Sequence, residues 1–451
     1  MDPVIILQMI LAGVAGAVIY TIIGVAPGTD ETAVLAPVTL ALILAGLSPY
    51  AVLAFFISAI TAKKLTDSIP VAVAGIPGGV MAAPMVEPAM VLKSHGLSHQ
   101  SIKKMASGSV IGTIISIPVS IVLAIFIMPV ADVIVGYEGL IFFLGAVFLA
   151  LLTKNKWLSL VAILPFALLI QGLRELYWAT GIIPEDSTVF ISFFLGITIG
   201  PIMFSLFELL NRDARNALPR YDHKVITFKE SNDNRGFPNP FKILNKKEVA
   251  SASTGSLLGS LTFFLSPVGM TIFYGELLSR KIKDPVKRAS RAISTMDSLT
   301  SATYMAGILI PLIAIGLPLS PVAIGPGNAL FNAPPVFDTS NNIHHQLSIG
   351  EIIIATIIGA SIAMIFTYYV AMRYANQICN FVFKLVPHEA LIGLFMALVF
   401  MLAYMDAGWV NIFGVVLIGL VAGLLHRNGV NYGVLFMILY AAPWLLSIIG
   451  G

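Results

Sequence analysis

A chain of 451 residues that is 57% hydrophobic and only 11% charged, with a mean hydropathy of +0.92, is excluded from the soluble globular class, whose domains carry roughly 25% charged residues. The net charge of +3 excludes nothing by itself, because in a membrane protein the placement of Lys and Arg carries the information. A single cysteine, Cys379, excludes an internal disulfide and any cysteine-based metal cluster.

Apolar stretches recur from Val4 to Ile449, long enough to span a bilayer as helices of about 20 residues. The fold class is therefore read as an all-α integral membrane protein; the short alternating segments of a β-barrel do not fit. The first stretch, Val4 to Val25, has neither a basic leading flank nor a small-residue cleavage site, and is read as part of the mature fold. It runs into Pro27-Gly28, followed by Thr29, Asp30, Glu31 and Thr32. A second polar knot, Lys63-Lys64 with Thr66-Asp67-Ser68, precedes the phrase Ile69-Pro70-Val-Ala-Val-Ala-Gly75-Ile76-Pro77. Proline removes a backbone donor and collides with the preceding helical turn, so no helix runs smoothly through that phrase. In hydrocarbon a broken helix survives only where it packs on protein or lines a cavity. Spanning helices are then predicted over roughly 106–130, 139–152, 157–172 and 188–210.

Residues 211–250 carry nine Lys or Arg against five acids and are read as a basic cytoplasmic linker. Beyond it the phrase returns as Ile310-Pro311-Leu-Ile-Ala-Ile-Gly316-Leu317-Pro318, a shift of about 240 residues that also sets Pro27-Gly28 near Pro267-Val268-Gly269. Further spans are predicted over roughly 349–373, 390–405, 409–425 and 431–449. The chain thus reads as two transmembrane repeats, 1–210 and 251–451. Between the paired motifs the charge reverses. Arg280, Lys281, Lys283, Lys287, Arg288 and Arg291 answer an uncharged Leu40 to Ala51, whereas Lys93, Lys103 and Lys104 answer a run from Ala333 to Asn342 holding only Asp338. Since cytoplasmic loops are the ones enriched in Lys and Arg, the repeats are expected to be inverted, with broken or re-entrant helices meeting near the mid-membrane. The even sidedness of their ends favours a re-entrant hairpin for 4–46 and for 251–279.

Ionisable residues at membrane depth are costly and usually functional, and hard cations want oxygen ligands. Asp30, Glu31, Asp67 and Asp297 are accordingly the candidates for holding a coupling Na⁺ or H⁺, with no other cofactor expected. For an anionic substrate the candidates are Pro27, Gly28, Thr29, Ser68, Pro77, Gly78, Ser298, Thr300, Ser301, Pro318 and Asn328, which gather small hydroxyls and free helix ends at the breaks. The competing reading is that Thr29 and Asp30 cap a helix and that the hydroxyls pack helices together. Lys63 and Lys64 are read as snorkelling to an interface, and His344-His345 as a solvated exterior loop rather than a metal site. No HExxH, GxSxG or Walker-type loop is present, and the chain is read as no enzyme.

Several of these segments together resemble the large membrane subunit (TctA type) of the tripartite tricarboxylate transporters. They are Gly24-Val-Ala-Pro27-Gly28, Ala36-Pro37-Val38-Thr39, Ser68 through Ile76-Pro77-Gly78, Gly307 to Leu312, Gly316-Leu317-Pro318, and Gly325-Pro326-Gly327 with Leu330-Phe331. The resemblance spans nearly the whole chain. It departs where the family's double asparagine falls on Ser301-Ala302, where its Pro-Glu pair falls on Asp297-Ser298, and where its second Pro-Gly reads Pro267-Val268-Gly269. The resemblance implies a multi-pass permease of a prokaryotic cytoplasmic membrane. It would be a secondary carrier for di- or tricarboxylates, working with a small membrane subunit (TctB type) and a periplasmic solute-binding protein (TctC type).

Two other classes were weighed. A channel would be built from a ring of repeated side chains or a carbonyl filter around a pore, and a carrier of another small anion would need no partner subunits. An intramembrane enzyme would need a paired base and nucleophile, or metal ligands at helical spacing, which the few intramembrane acids lack.

Overall fold

The computed structural model describes residues 2–449 except 27, 28, 30, 76, 77, 154, 182–190, 210, 214–237, 266, 386 and 387. In the first half the helices are α1 (Pro3–Val25), α2 (Glu31–Leu44), α3 (Pro49–Thr66), α4 (Ser68–Ala74), α5 (Val86–Ser94), α6 (Ser98–Ile127), α7 (Ala131–Gly136), α8 (Glu138–Leu152), α9 (Lys156–Ala179) and α10 (Ile191–Leu209). In the second they are α11 (Pro240–Ile243), α12 (Lys246–Leu261), α13 (Pro267–Ser279), α14 (Pro285–Ala314), α15 (Pro321–Ile324), α16 (Ile343–Gln346), α17 (Ile349–Leu385), α18 (His388–Arg427) and α19 (Tyr432–Ile449). Among the described residues there is no strand, only two isolated bridges in the loop around Asp338. The fold is all-α. Among the described residues six helical segments are long and apolar enough to cross a membrane: Pro3–Val25, Ser98–Gly136, Lys156–Ala179, Pro285–Ala314, Ile349–Ala375 and Gly408–Arg427.

The repeated phrase acts as sequence chemistry requires. Pro70 enters α4, which stops at Ala74 and is capped by Gly75 at φ 71°, its N–H on the Val71 carbonyl at 3.1 Å. Pro311 lies in the last turn of α14, which stops at Ala314, and Gly316 at φ 77° sends its N–H to the Pro311 carbonyl at 2.9 Å. Both helices end five residues past a proline on a left-handed glycine, the conformation glycine alone adopts without strain.

Elsewhere the expected boundaries shift. The separate spans at 390–405 and 409–425 belong to one helical run, α18, interrupted by Gly408 at φ 69°. Residues 246–250, assigned by composition to the linker, already form the first turns of α12, whose Asn245 and Glu248 make a reciprocal capping box.

Packing couples the halves in a reciprocal way. α1 and α3 pack on each other and on α17 of the other half, while α12 and α14 pack on each other and on α6. The turn at Val80–Met85, after the first phrase, contacts α13 and α14; the turn at Asn328–Leu330, after the second, contacts α2. Between α6 and α17 lies an apolar cleft of about 310 Å³ lined by Ile114, Ile117, Pro118 and Ile121 and by Ile357, Ala360, Ser361 and Met364. Each of the second four stands 243 positions after its counterpart in the first (114 to 357, 121 to 364).

Small residues let these helices approach closely. Gly108 and Gly112 of α6 lie against the Ser294 and Ser298 carbonyls of α14, and Gly359 of α17 lies against the Ala54 carbonyl of α3. Every residue of the apolar window in α14 is buried inside the protein, against 33–39% in the other five segments. At one end of this core, Lys104 of α6 reaches Glu248 of α12 at 2.6 Å.

Since a side chain at Gly112 would drive into the Ser298 backbone, Gly112→Val should destabilise the folded protein by about 1–3 kcal/mol, the usual cost of overpacking. Thermal unfolding of the detergent-purified variant against wild type checks this.

Candidate functional site

The site grows from two interruptions of helix in the first half. α3 ends at Thr66, Asp67 forms the joint, and α4 starts at Ser68. Lys63 and Lys64 occupy the last turn of α3, so Asp67 stands at i+4 from one and i+3 from the other, spacings that bring helical side chains together. Glu31 opens α2. Lys63 Nζ lies 2.9 Å from Asp67 Oδ1 and 3.9 Å from Glu31 Oε1. Lys64 Nζ lies 2.9 Å from Glu31 Oε1 and 2.8 Å from Asp67 Oδ2, the latter an ion-pair contact outside hydrogen-bond alignment. All four side chains are at most 2% exposed.

The second half contributes α14. Asp297, 1% exposed, lies within charge-interaction range of Lys64 and Asp67, and its Oδ2 has no hydrogen-bond partner among the described residues. About two turns further on, the Tyr304 ring takes the Lys64 ammonium over its face at 5.1 Å. Behind the carboxylates runs bare backbone. A Cβ on Gly78 would sit 2.7 Å from Asp67 Oδ1, and one on Gly79 would sit 2.5 Å from Glu31 Oε1. The Gly78-Gly79 pair is therefore a requirement of close approach. Thr29 Oγ1 donates to the Ala26 carbonyl at 2.9 Å and reaches the Gly78 carbonyl at 3.3 Å, tying the start of α2 to the same backbone. Across the halves, Gly325 abuts the Thr32 hydroxyl.

Of the candidates named from sequence, the structure brings together Thr29, Glu31, Asp67, Gly78 and Asp297. Pro27, Gly28, Asp30 and Pro77 lie outside the described residues. The other hydroxyls are engaged in packing. Ser68 donates to the Leu65 carbonyl at 3.0 Å, Ser298 to the Ala252 carbonyl of α12 at 2.8 Å, and Thr300 to the Asp297 carbonyl at 2.9 Å. Ser301 shares a 2.7 Å hydrogen bond with Ser109 of α6. Pro318 is buried. Asn328 is buried too, its Nδ2 donating to the Tyr440 hydroxyl at 2.6 Å while its Oδ1 has no partner among the described residues.

Two sequence readings need correction. Lys63 and Lys64 do not snorkel: their carboxylate partners lie within reach in the interior, and withdrawal of the ammonium groups would leave two buried carboxylates bare. The His344-His345 pair is not a free loop. His344 Nδ1 bonds the Leu312 carbonyl at 2.9 Å, both rings press on Gly316, and Asn342 Nδ2 donates to the Gly316 carbonyl at 2.9 Å, so this loop closes the second break. Among the described residues no group of three or more His, Cys, Asp or Glu is arranged to hold a metal ion.

A polytopic helical protein that buries five ionisable side chains where its two halves meet belongs to the class of membrane transport proteins, in which intramembrane charge marks the path of a solute or ion. The chain belongs to the tripartite tricarboxylate transporter TctA family, which it matches over residues 10–437, and is a membrane component of that type of system. Neither the curated proteins nor the solved structures hold a match to it.

Removing one partner of a buried ion pair costs about 3–5 kcal/mol, whereas replacing both by apolar groups is near neutral. Lys64→Met should therefore lower the melting temperature of the purified protein markedly, and Lys64→Met combined with Glu31→Leu should recover part of the loss. A double variant less stable than the single one would show that the pair does not act as a unit.

Proposed function

We propose that the chain is the permease of a secondary active carrier that moves organic di- or tricarboxylate anions across the cytoplasmic membrane of a prokaryote. Transport is coupled to a cation, Na⁺ or H⁺, and fed by a periplasmic solute-binding protein, with a small membrane subunit completing the system. The single observation carrying this reading is the buried cluster of Lys63, Lys64, Glu31, Asp67 and Asp297, with the Lys64 ammonium over the Tyr304 ring of the second half. Such groups add little to stability, since apolar residues of similar volume would serve it as well.

The alternating-access frame draws support from the reciprocal packing of α1 and α3 on α17 and of α12 and α14 on α6, together with the constant offset of the residues lining the cleft. An inverted repeat of this kind places its site where the two breaks come together. In that frame Glu31, Asp67 and Asp297, with Asp30, carry the coupling ion. Thr29, Gly78 and the helix ends at Gly75 and Gly316 form the walls that open alternately. With Cys379 replaced by Ala, single cysteines introduced at Ser231 and at Asp338 should be labelled by an impermeant maleimide from opposite faces, and labelling from one face would remove the inverted topology.

The functional test is uptake of radiolabelled citrate and succinate into proteoliposomes holding the full chain, with the binding protein supplied outside, with and without a Na⁺ or pH gradient. Uptake should follow a cation gradient, and Asp67→Asn should reduce gradient-driven uptake at least tenfold. Flux indifferent to both gradients at channel-like rates would defeat the carrier reading.

A further inference from the structure

We propose that Lys63 and Lys64 are the groups that bind the substrate's carboxylates. In this structure their places are held by two internal carboxylates, Glu31 and Asp67, and each substrate carboxylate that displaces one of them brings in one proton. This deepens the carrier reading and rests on it.

The cluster is built from two kinds of position. Lys63 and Lys64 sit on α3, an unbroken helix from Pro49 to Thr66. Their carboxylate partners sit at interruptions: Glu31 is the first residue of α2, and Asp67 is the joint between α3 and α4. A change in the approach of α2 moves Glu31, and a rotation of the Asp67 side chain withdraws its carboxylate while its N–H keeps the Lys63 carbonyl, so the ammonium groups stay in place on α3. The contacts given to the two ammonium groups are carboxylate oxygens and the face of Tyr304. A carboxylate substrate offers the same chemistry, so the internal acids stand in for it.

Charge conservation supplies the coupling. Lys63 and Lys64 balance Glu31 and Asp67, leaving Asp297 as the fifth group. If two substrate carboxylates take over the lysines, the freed Glu31 and Asp67 add two uncompensated charges inside the bilayer, which is strongly unfavourable. Two protons entering with the substrate from the aqueous side form the O–H bonds of Glu31 and Asp67 and restore the balance. On release the acids return those protons to water and close again on the lysines. The unpartnered Oδ2 of Asp297 is the acceptor left to receive the hydroxyl of a protonated Asp67. A Na⁺ ion would need several oxygen ligands, and Glu31 Oε1 and both Asp67 oxygens are already held by ammonium groups.

Among the described residues the charged side chains placed against the cluster are these five; Arg291, the nearest charge on α14, lies six positions before Asp297, and Arg373 of α17 is exposed. α4 and the Val80–Met85 turn carry no titratable residue. Within its span α1 carries only Tyr20, which is spent on the Val34 carbonyl. Tyr368 of α17 is paired with Ser107 of α6, Lys104 of α6 is paired with Glu248 of α12, and Glu276 of α13 is exposed. Of the remaining charges on neighbouring elements, Glu87 and Lys93 of α5 are exposed, and Lys103 lies near the start of α6.

The experiment is calorimetric titration of the purified full-length chain with succinate at about pH 7.5, where succinate carries both charges, in buffers of different ionisation enthalpy. The buffer dependence gives the protons taken up on binding, and proton linkage sets the expected value at about two for wild type and about one for Lys63→Met or Lys64→Met. The Glu31→Gln/Asp67→Asn variant keeps both lysines and should bind succinate with no proton uptake, which preserves the test if a lysine variant fails to fold. Binding without proton uptake in wild type, binding that requires Na⁺, or undiminished uptake in the double variant overturns the exchange while leaving the carrier reading in place. Failure of wild type to bind any of succinate, citrate and tricarballylate removes the carrier reading, and the exchange with it.

Discussion

Charge without water is the constraint on which this structure turns. An ammonium group in the interior of a bilayer is tolerated only with an anion against it, and both Lys63 and Lys64 have theirs from a helix start and a helix joint. The rest of the local architecture follows from meeting that demand. Asp67 must fall three and four places after the lysines to face both; Gly78-Gly79 must lack side chains for the backbone to close over the carboxylates; Tyr304 must present its ring from α14. The same demand explains why the surroundings of the two proline phrases differ. The first half divides α3 from α4 at the acid, whereas the equivalent stretch of the second is the continuous α14, with its acid well before the phrase.

What could be read in the sequence divides along the range of the interaction involved. Proline and glycine act on their own turn of backbone, so the ends of α4 and α14 were legible at Gly75 and Gly316. Membrane residence and the all-helical class follow from composition, which is a bulk property. Asp67, Glu31 and Asp297 stood out because carboxylates are rare in apolar sequence. The interior placement of the lysines was not legible, because Glu31 lies 33 positions from Lys64 and a long amphipathic side chain reads the same whether it reaches outward or inward. The hydroxyls illustrate the opposite error. Ser298 and Ser301 gather beside Asp297 in sequence, yet on a helix their directions diverge, one to α12 and the other to α6.

The breaks in the two halves are also finished differently. The first faces the ion-pair cluster. The second is closed by the loop at Asn342 and His344, which take up the Gly316 and Leu312 carbonyls at the end of α14. A helix terminus at membrane depth must satisfy those groups from somewhere, and here the loop between α15 and α17 provides the donors. Sequence repetition thus set the position of the breaks, and the surroundings decided that only one of them carries charge.

The complete enclosure of α14 bears on how this protein is made. A segment that shows lipid no face, and holds Asp297 with several hydroxyls along its length, gains little from partitioning out of the insertion machinery by itself. Its neighbours α6 and α12 are synthesised earlier and offer the polar groups it needs. Biogenesis of the second half therefore depends on the first being already in place, so the order of translation is itself part of what holds the charged helix in the bilayer.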